Sequence, residues 1–310
     1  MGKLSRQSMV TASTALLVLL AGCGGGSGSA PADAMGRISL GISDDPFSGA
    51  SKICIEFNEV ELKGEGPSTT IEVKPPAKVN LLSFQGPNAF PLLFNEIIPA
   101  GEYQWIRLGV NAVQGANGGM GNDSATDACE GEASYISMDD SYYNLYVPSG
   151  ANSGLKLVGG FTVPVNNTVN ITADIDLKKS IADPVGLPDV IFRPTIRLVI
   201  NVDVGTLTGQ VGNGLATATA CDPWVYVYDD FTKPHDIGAG DDYVALAMVN
   251  SSENNEDVTE YHYTVGFLLA DRDYEVAFSC NGTTFEPAGG KPATITAQSV
   301  TTVDFFSTDE

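Results

Sequence analysis

The stretch Val169-Asn170-Ile171-Thr172-Ala173-Asp174-Ile175-Asp176-Leu177 decides the fold class of this chain. Its apolar and polar side chains alternate at every position, as an antiparallel strand with one buried face requires. The same period of two recurs in short runs that Gly, Pro, Asn and Asp separate, for example Arg37–Ser43, Cys54–Leu62 and Trp105–Val110. No part of the sequence is typical of a long amphipathic helix. The sequence therefore predicts an all-β protein built from antiparallel β-sandwiches.

The strand pattern divides near Val204. Before this point, Phe192–Ile200 is typical of a strand that closes a sheet. After it, Gly209-Gln210-Val211 begins a new set of short strands. We therefore predict two sandwich domains of immunoglobulin or transthyretin type, over residues 37–203 and 204–310.

The charge balance limits the classes of partner. The 310 residues include 16 Lys plus Arg and 38 Asp plus Glu, which gives a net charge of −22. Such a field repels phosphate backbones, so we expect no nucleic-acid binding. The two histidines, His235 and His262, offer little for histidine-based catalysis or for a metal site with several histidines.

The first residues are typical of an export signal. A basic start and an apolar core lie within residues 1–22, and the core is too short to span a bilayer. Leu20-Ala21-Gly22-Cys23 resembles a bacterial lipobox, in which the Cys is acylated and the signal is cleaved just before it. We expect a lipid anchor at Cys23, and the alternative is an ordinary signal peptide with a stray Cys. Residues 23–36 would then form the lipidated Cys and a flexible Gly/Ser linker.

The remaining cysteines fit the division into two domains. Cys54 and Cys129 fall in the first domain, and Cys221 and Cys280 fall in the second. Only the pairing of Cys54 with Cys129 and of Cys221 with Cys280 keeps each bridge within one domain. An exported protein meets an oxidising compartment, so we predict both disulfides. Reactive thiols or a metal site are the alternatives, and no Cys-x-x-Cys spacing favours them.

Two further patterns indicate structural roles. In Ile98-Pro99-Ala100-Gly101-Glu102-Tyr103, Pro fixes φ, Gly supplies the turn, and Tyr103 can lock the corner between two strands. Arg107, Arg193 and Arg197 lie in predicted strands, and we expect paired, packed arginines rather than an anion site.

Asp174 and Asp176 are the first candidate metal ligands. They lie two positions apart in one strand, so they face the same side about 6–7 Å apart. Such a pair could bind calcium or act as an acid–base pair. Lys178, on the same predicted face, could instead neutralise the pair, and we favour structural pairing.

A second acidic group contains the candidate ligands Asp229, Asp230, Asp241 and Asp242. A hard cation needs several oxygens from one flexible loop, and this stretch offers them. It lacks the residue order of an EF-hand, so a solvated acidic loop is the favoured interpretation and calcium is the alternative.

Six motifs follow one another in a recognisable order. They are Gly36–Pro46, Val79–Leu82, Ile98–Leu108, Val147–Gly150, Asp174–Ile181 and Arg193–Leu198. Over about residues 36–200 the chain thereby resembles a bacterial family called domain of unknown function 4382. The resemblance implies an envelope lipoprotein and implies no assigned activity.

The second unit carries a different set of motifs, namely Leu207–Val211, Trp224–Tyr228 and Val265–Val276. These resemble carboxypeptidase regulatory-like modules of transthyretin type. In such modules a Leu-Pro-Pro-Gly-x-Tyr turn is common, and here Ala270–Asp273 replaces its Pro-Gly. The resemblance implies an accessory or spacing domain.

No catalytic signature is present, because Gly-x-Ser-x-Gly, P-loop and His-Glu-x-x-His patterns are all missing from the sequence. We therefore expect a protein that is not an enzyme, anchored by lipid in the cell envelope and acting in binding, adhesion or structure. Its ligand would be a surface glycan or a protein, and it would need no cofactor unless calcium binds. The alternatives are a carbohydrate-processing accessory protein or hydrolase that uses Asp174 and Asp176, and a calcium-stabilised scaffold.

The residue after the lipobox indicates a location. Gly24, and not Asp, follows Cys23. This resembles sorting of lipoproteins to the outer membrane, where acyl chains would hold the protein firmly. Exposure to the periplasm and exposure at the cell surface both stay open.

Overall fold

The computed structural model describes residues 34–112, 115, 129–130, 133–139, 141–148, 154–182, 189–229, 234 and 243–307. Strands dominate these residues and form four sheets, arranged as two sandwiches, which confirms the all-β prediction. Within the described ranges, no helix has the length and apolar character needed to cross a membrane.

The N-terminal sandwich holds the first twelve strands. Their bounds are β1 Met35–Asp45, β2 Lys52–Gly64, β3 Thr69–Asn80, β4 Phe90–Pro99, β5 Gly101–Val110, β6 Tyr135–Met138, β7 Ser141–Tyr146, β8 Leu155–Val163, β9 Thr168–Asp176, β10 Ile181–Ala182, β11 Asp189–Phe192 and β12 Thr195–Ile200. One sheet has the order β12-β9-β1-β4, and the other has the order β10-β11-β7-β6-β2-β5-β8 with β3 also paired to β2. A one-turn helix, α1 (Leu177–Ser180), follows β9 directly.

Alternation of side chains builds the core between these two sheets. On β1, the side chains of Ile38, Leu40 and Ile42 are fully buried against the opposite sheet.

The pairing of β1 with β9 is parallel, as are those of β7 with β11 and β13 with β20, whereas the other strand pairs are antiparallel. The partners in each parallel pair lie far apart in sequence, so the long connection that such pairing needs is available.

The C-terminal sandwich holds the other strands. Their bounds are β13 Val204–Val211, β14 Trp224–Asp229, β15 Tyr243–Met248, β16 Asn250–Glu253, β17 Thr259–Leu269, β18 Arg272–Ser279, β19 Glu286–Ile295 and β20 Val300–Thr302. The two sheets have the orders β16-β17-β13-β20 and β15-β14-β18-β19. A one-turn helix, α2 (Asn213–Ala216), follows β13.

Each sandwich contains a strand connection that a tyrosine closes. The Tyr103 hydroxyl donates a hydrogen bond of 2.8 Å to the Pro99 carbonyl, as the sequence predicts. In the C-terminal sandwich, the Tyr274 hydroxyl donates one of 3.0 Å to the Leu269 carbonyl. Asp271 takes the left-handed conformation there, with φ of +56°, so an Asp occupies a backbone position that Gly usually fills.

Both predicted disulfides are present. Cys54 is bonded to Cys129 and Cys221 to Cys280, with Cα–Cα distances of 5.7 and 4.5 Å. The first bridge ties β2 to a segment just before β6, and the second ties the segment before β14 to the residue that follows β18. Each bridge therefore joins parts of the chain that the same sandwich contains.

The two sandwiches pack closely against each other. The Val199, Val204 and Phe267 side chains form a small buried apolar cluster between β12, β13 and β17. A Cβ atom added to Gly266 would lie 2.2 Å from the carbonyl oxygen of Gly86, so only glycine allows this approach of the backbones. The outer face of the four-stranded sheet β12-β9-β1-β4 is thus partly covered by the C-terminal sandwich.

Candidate functional site

A cluster of buried charged groups lies where the two sandwiches meet. The parallel register of β1 and β9 places Asp45 beside Asp176, and Asp174 follows two positions earlier on β9. These three side chains are only 6, 7 and 3% exposed. Successive side chains of a strand point to opposite faces, and these three point away from the core of their own sandwich. They therefore face the other sandwich. We define the junction cluster as Asp45, Asp174, Asp176, Lys179 and Arg197, together with Asp44, which precedes Asp45 and lies on the opposite face of β1.

Two cations neutralise the β9 carboxylates. Arg197 on β12 is the register partner of Asp174 and forms an ion pair with it. Lys179 lies in α1, and its Nζ is 3.3 Å from Oδ2 of Asp176. The same carboxylate caps α1, because Oδ1 accepts a 3.0 Å hydrogen bond from the Lys179 main-chain N–H.

Contacts from the C-terminal sandwich complete the cluster. The Tyr243 hydroxyl donates a 3.3 Å hydrogen bond to Oδ1 of Asp176. In return, Lys179 Nζ donates a 2.7 Å hydrogen bond to the Tyr243 carbonyl and lies 3.6 Å from the centre of its ring. The junction cluster thereby joins the two sandwiches through polar groups as well as through apolar contact.

Several carboxyl oxygens of the cluster are buried without a hydrogen bond. These are both oxygens of Asp44, one oxygen of Asp45, and Oδ2 of Asp176, which the ion pair with Lys179 compensates. Burial raises the pKa of Asp44 well above its ordinary value; the nearby carboxylates raise it further, and the Gln85 side chain opposes them. Burial also raises the pKa of Asp45, which Asp174 reinforces and Arg197 opposes. The pKa of Asp174 is raised too, by burial, although Arg197 acts against the shift.

The structure brings together only part of what the sequence indicates for this site. Asp174 and Asp176 share a face, as predicted, but β9 ends at Asp176 and the helical turn redirects the following lysines. Lys179 therefore forms the ion pair with Asp176, whereas Lys178 donates a 3.2 Å hydrogen bond to the Tyr226 hydroxyl and lies 5.3 Å from the Trp224 ring. The participation of Asp44 and Asp45 was missed, because only the parallel register places β1 beside β9.

The other candidate ligands do not join this cluster. The Asp229 side chain is 55% exposed and lies 3.8 Å from Arg272. Among the residues that the structure describes, no three His, Cys, Asp or Glu side chains are arranged to hold a metal ion. Asp230, Asp241 and Asp242 lie outside the described residues, as do Cys23 and the whole predicted signal peptide.

A second feature lies on the outer face of the larger sheet. Ile106 and Leu108 on β5 point into the core with no exposure, so Trp105 and Arg107 point outward. Arg107 forms an ion pair of 3.0 Å with Glu61 on β2, which agrees with the paired role that the sequence predicts. We define the Trp105 face by two cross-strand rows, Lys63–Trp105–Val158 and Glu61–Arg107–Lys156.

Two of the cavities among the described residues lie near these features. One of about 460 Å³ opens between the edge strands β8 and β12, and Tyr103, Phe161 and Ile200 are among the residues that line it. The other, of about 160 Å³, lies at the junction of the sandwiches, where Lys178 and Trp224 line it. Neither cavity contains a pair of carboxylates or a nucleophile with an adjacent base.

Comparisons with known proteins assign the first sandwich and little else. The family model of the domain of unknown function (DUF4382) matches residues 35–194, and no curated protein matches the chain. The minor pilin GBS52 of Streptococcus agalactiae is 9% identical, with 86% of this chain and 94% of that chain covered and a TM-score of 0.19. A candidate polysaccharide-binding protein of Bacteroides thetaiotaomicron is 11% identical, with 88% and 92% covered and a TM-score of 0.22.

A leucine-rich repeat protein of Bacteroides thetaiotaomicron is 15% identical, with a TM-score of 0.20. The alignment covers 88% of this chain, but the chain spans only 27% of that protein. Scores this low carry no argument about function. The family model ends before β12, so the resemblance of the C-terminal sandwich to carboxypeptidase regulatory-like modules stays a prediction. The match over more than half of its length shows that this chain belongs to the DUF4382 family.

Proposed function

We propose that this protein is a lipid-anchored protein of the cell envelope that acts by binding or structural support and catalyses no reaction. The junction cluster is the observation that supports the non-enzymatic part. A glycoside hydrolase presents two carboxyl groups to opposite sides of a substrate bond. Here Asp174 and Asp176 are buried beneath a second sandwich and paired with Arg197 and Lys179, so they serve as a joint.

The envelope location rests on the sequence. The predicted lipid anchor at Cys23 precedes a Gly/Ser linker, and β1 begins at Met35, next to the end of that linker. Two packed sandwiches on such a linker would present a compact acidic unit beyond the membrane surface. The negative charge of the chain favours solubility and suits a saline medium, where screening weakens self-repulsion.

Intact cells test the location. Cells that express the full chain are labelled with palmitate and treated with an impermeant protease, and an antibody then detects the C-terminal sandwich. We expect palmitate in the wild type and none in Cys23→Ala. Loss of the antibody signal would indicate cell-surface exposure, and protection until the outer membrane is permeabilised would indicate the periplasm. Recovery of unlabelled protein from the cytosol would contradict the proposal.

Binding without catalysis is tested with the full chain purified in detergent. The chain is incubated with polysaccharides and proteins extracted from the envelope of the same cells, and both retention and release of reducing ends are measured. We expect retention without new reducing ends. Sugar release that disappears in Asp174→Asn but persists in the exposed control Asp229→Asn would overturn the non-enzymatic assignment.

A calcium-stabilised scaffold is the second candidate, and the buried carboxyl oxygens of Asp44 without hydrogen bonds favour it. The arrangement of the described residues gives it less support, because no set of three ligands is in place. The two candidates differ in one measurement. If the protein is a calcium scaffold, a chelator lowers the melting temperature of the full chain and millimolar calcium restores it. If the joint is held by ion pairs alone, neither addition changes the melting temperature.

A further inference from the structure

The Trp105 face combines an aromatic ring with an exposed apolar neighbour. Trp105 is half-buried in the middle of the outward face, and Val158, its cross-strand neighbour on β8, is 80% exposed. Trp105 lies on β5, which is paired on both sides, and Val158 lies on β8, the edge strand of the sheet. Both side chains project from the face of the sheet, so a ligand that contacts the two of them lies across this face.

Cations surround the ring. The Arg107 guanidinium carbon lies 5.0 Å from the centre of the Trp105 ring, and Lys156 Nζ lies 4.7 Å from it. Lys63 is the cross-strand neighbour on the other side, and its Nζ donates a 2.6 Å hydrogen bond to the Gly66 carbonyl. Cation–π attraction holds the indole in place before a ligand arrives, so little ordering cost remains on binding.

The charge of this face is opposite to that of the molecule. Lys63, Arg107 and Lys156 outnumber the carboxylate of Glu61 among the six residues of the face and also that of Glu59 in the adjoining row, whereas the whole chain carries a net charge of −22. The Trp105 face therefore differs in charge from the rest of the molecule, which is strongly acidic. At the Trp105 face, charge complementarity favours an anionic ligand.

We propose that the Trp105 face binds acidic polysaccharides. The apolar C–H face of a sugar ring would pack against Trp105 and Val158, and a carboxylate or sulfate of the same chain would be bound by Lys156 and Lys63. This inference rests on the proposed envelope function, since that location exposes the protein to such polymers and not to nucleic acid. The site is open and shallow, so one sugar unit binds weakly and repeated units along a polymer raise the apparent affinity.

Binding is measured by calorimetry and affinity electrophoresis with the full chain in detergent. The probes are polygalacturonate for carboxylate, dextran sulfate for sulfate ester, and dextran as the neutral polymer. We expect a dissociation constant below about 1 mM per binding segment for at least one polyanion. Dextran should bind at least about tenfold more weakly, and added salt should weaken the polyanion complex. Equal binding of dextran, or no binding of either polyanion, overturns the inference.

Variants assign the binding to this face. Trp105→Ala should weaken polyanion binding by about tenfold or more, and Trp105→Phe should restore most of it. Lys156→Gln, a change at an exposed side chain that leaves the fold intact, should weaken binding about threefold and reduce the salt dependence. The matched controls are Phe94→Ala, at a 74% exposed aromatic on β4, and Lys74→Gln, at a 75% exposed lysine on β3. Both controls should bind like the wild type.

The outcomes separate this inference from the function on which it rests. If envelope material is retained equally by the wild type, Trp105→Ala and Lys156→Gln, the Trp105 face is not the site and the proposed function stands. If the wild type releases sugars from the envelope material, this result contradicts only the proposed function and not the inference about the Trp105 face. Light scattering tests whether a second copy of the chain occupies the face instead. A dimer that Trp105→Ala dissociates would show that the face binds a second copy, and this result would overturn the inference.

Discussion

The Tyr243 hydroxyl of the C-terminal sandwich donates a 3.3 Å hydrogen bond to Oδ1 of Asp176 in the N-terminal sandwich. The same carboxylate caps α1 and lies beside Lys179, which donates back to the Tyr243 carbonyl. One carboxylate thus connects the end of β9, the following helical turn and the first residue of β15. This arrangement explains why a pair of aspartates in a strand serves as a joint.

Loss of Arg197 should destabilise the protein strongly. Arg197→Met leaves the buried Asp174 carboxylate without its counter-charge, so we expect the free energy of unfolding to fall by about 3–5 kcal/mol at neutral pH. The loss should become smaller as the pH is lowered, because burial raises the pKa of Asp174 and favours its neutral form. Denaturant titration at neutral and at acidic pH measures both losses.

The control for this change is Arg272→Ala, at a pair with Asp229 in which both side chains are 55% exposed. An exposed pair contributes less than about 1 kcal/mol, so this variant should remain close to the wild type. Equal effects of the two substitutions would show that the Arg197 pair behaves like a surface pair.

The buried carboxyls should make the protein less stable as the pH rises. Asp44, Asp45 and Asp174 have raised pKa values in the folded state, mainly because of burial. Their contribution is complete below the pKa of unfolded Asp, about 3.9, and is lost as the pH rises through the folded values. We therefore expect the melting temperature to fall as the pH rises above about 4.

Asp44→Asn isolates this effect, because it keeps the shape of the side chain and removes its titration. Between pH 5 and pH 8, the melting temperature of the variant should change less than that of the wild type. Asp229→Asn, at an exposed position, is the matched control and should keep the wild-type dependence. An unchanged pH dependence in Asp44→Asn would mean that Asp44 does not titrate in this window.

The two tyrosine corners should contribute separately and to similar extents. Tyr103→Phe and Tyr274→Phe each remove one hydroxyl that donates to a carbonyl four or five residues earlier. We expect each change to cost about 1 kcal/mol, and the costs to add because the sites lie in different sandwiches. Denaturant unfolding of the single and double variants checks this expectation; a double-variant loss well above the sum would indicate coupling across the junction.

The disulfides should each stabilise their own sandwich. The bridges close loops with sequence separations of 75 and 59 residues. In the chain-entropy model each is worth about 4 kcal/mol. We expect Cys54→Ser with Cys129→Ser, and Cys221→Ser with Cys280→Ser, to lower stability by amounts of this size. Native-state proteolysis should cut mainly the sandwich that has lost its bridge; uniform cutting would show that the sandwiches unfold as one unit.

Much of the fold follows from local pattern. Alternation in stretches such as Val169–Leu177 identifies strands, because side chains of a strand point to opposite faces in turn. The Pro99–Tyr103 corner and the cysteine pairing also depend on short-range chemistry or on simple counting, and the structure agrees with both. The prediction of antiparallel pairing alone is wrong for β1 with β9, since pairing direction depends on which distant strands meet.

The sites depended on those distant pairings. The sequence places Asp174 and Asp176 on one face, and only the parallel register brings Asp45 beside them and the second sandwich above them. Trp105 and Lys156 are 51 positions apart, and the pairing of β5 with β8 makes them neighbours. Sequence by itself determined the strands, the Pro99–Tyr103 corner and the bridges, because these follow from periods and local backbone chemistry. Only the tertiary structure decided which charges are buried and which aromatic ring lies among cations on the face of a sheet, because burial depends on the packing of strands remote in the chain.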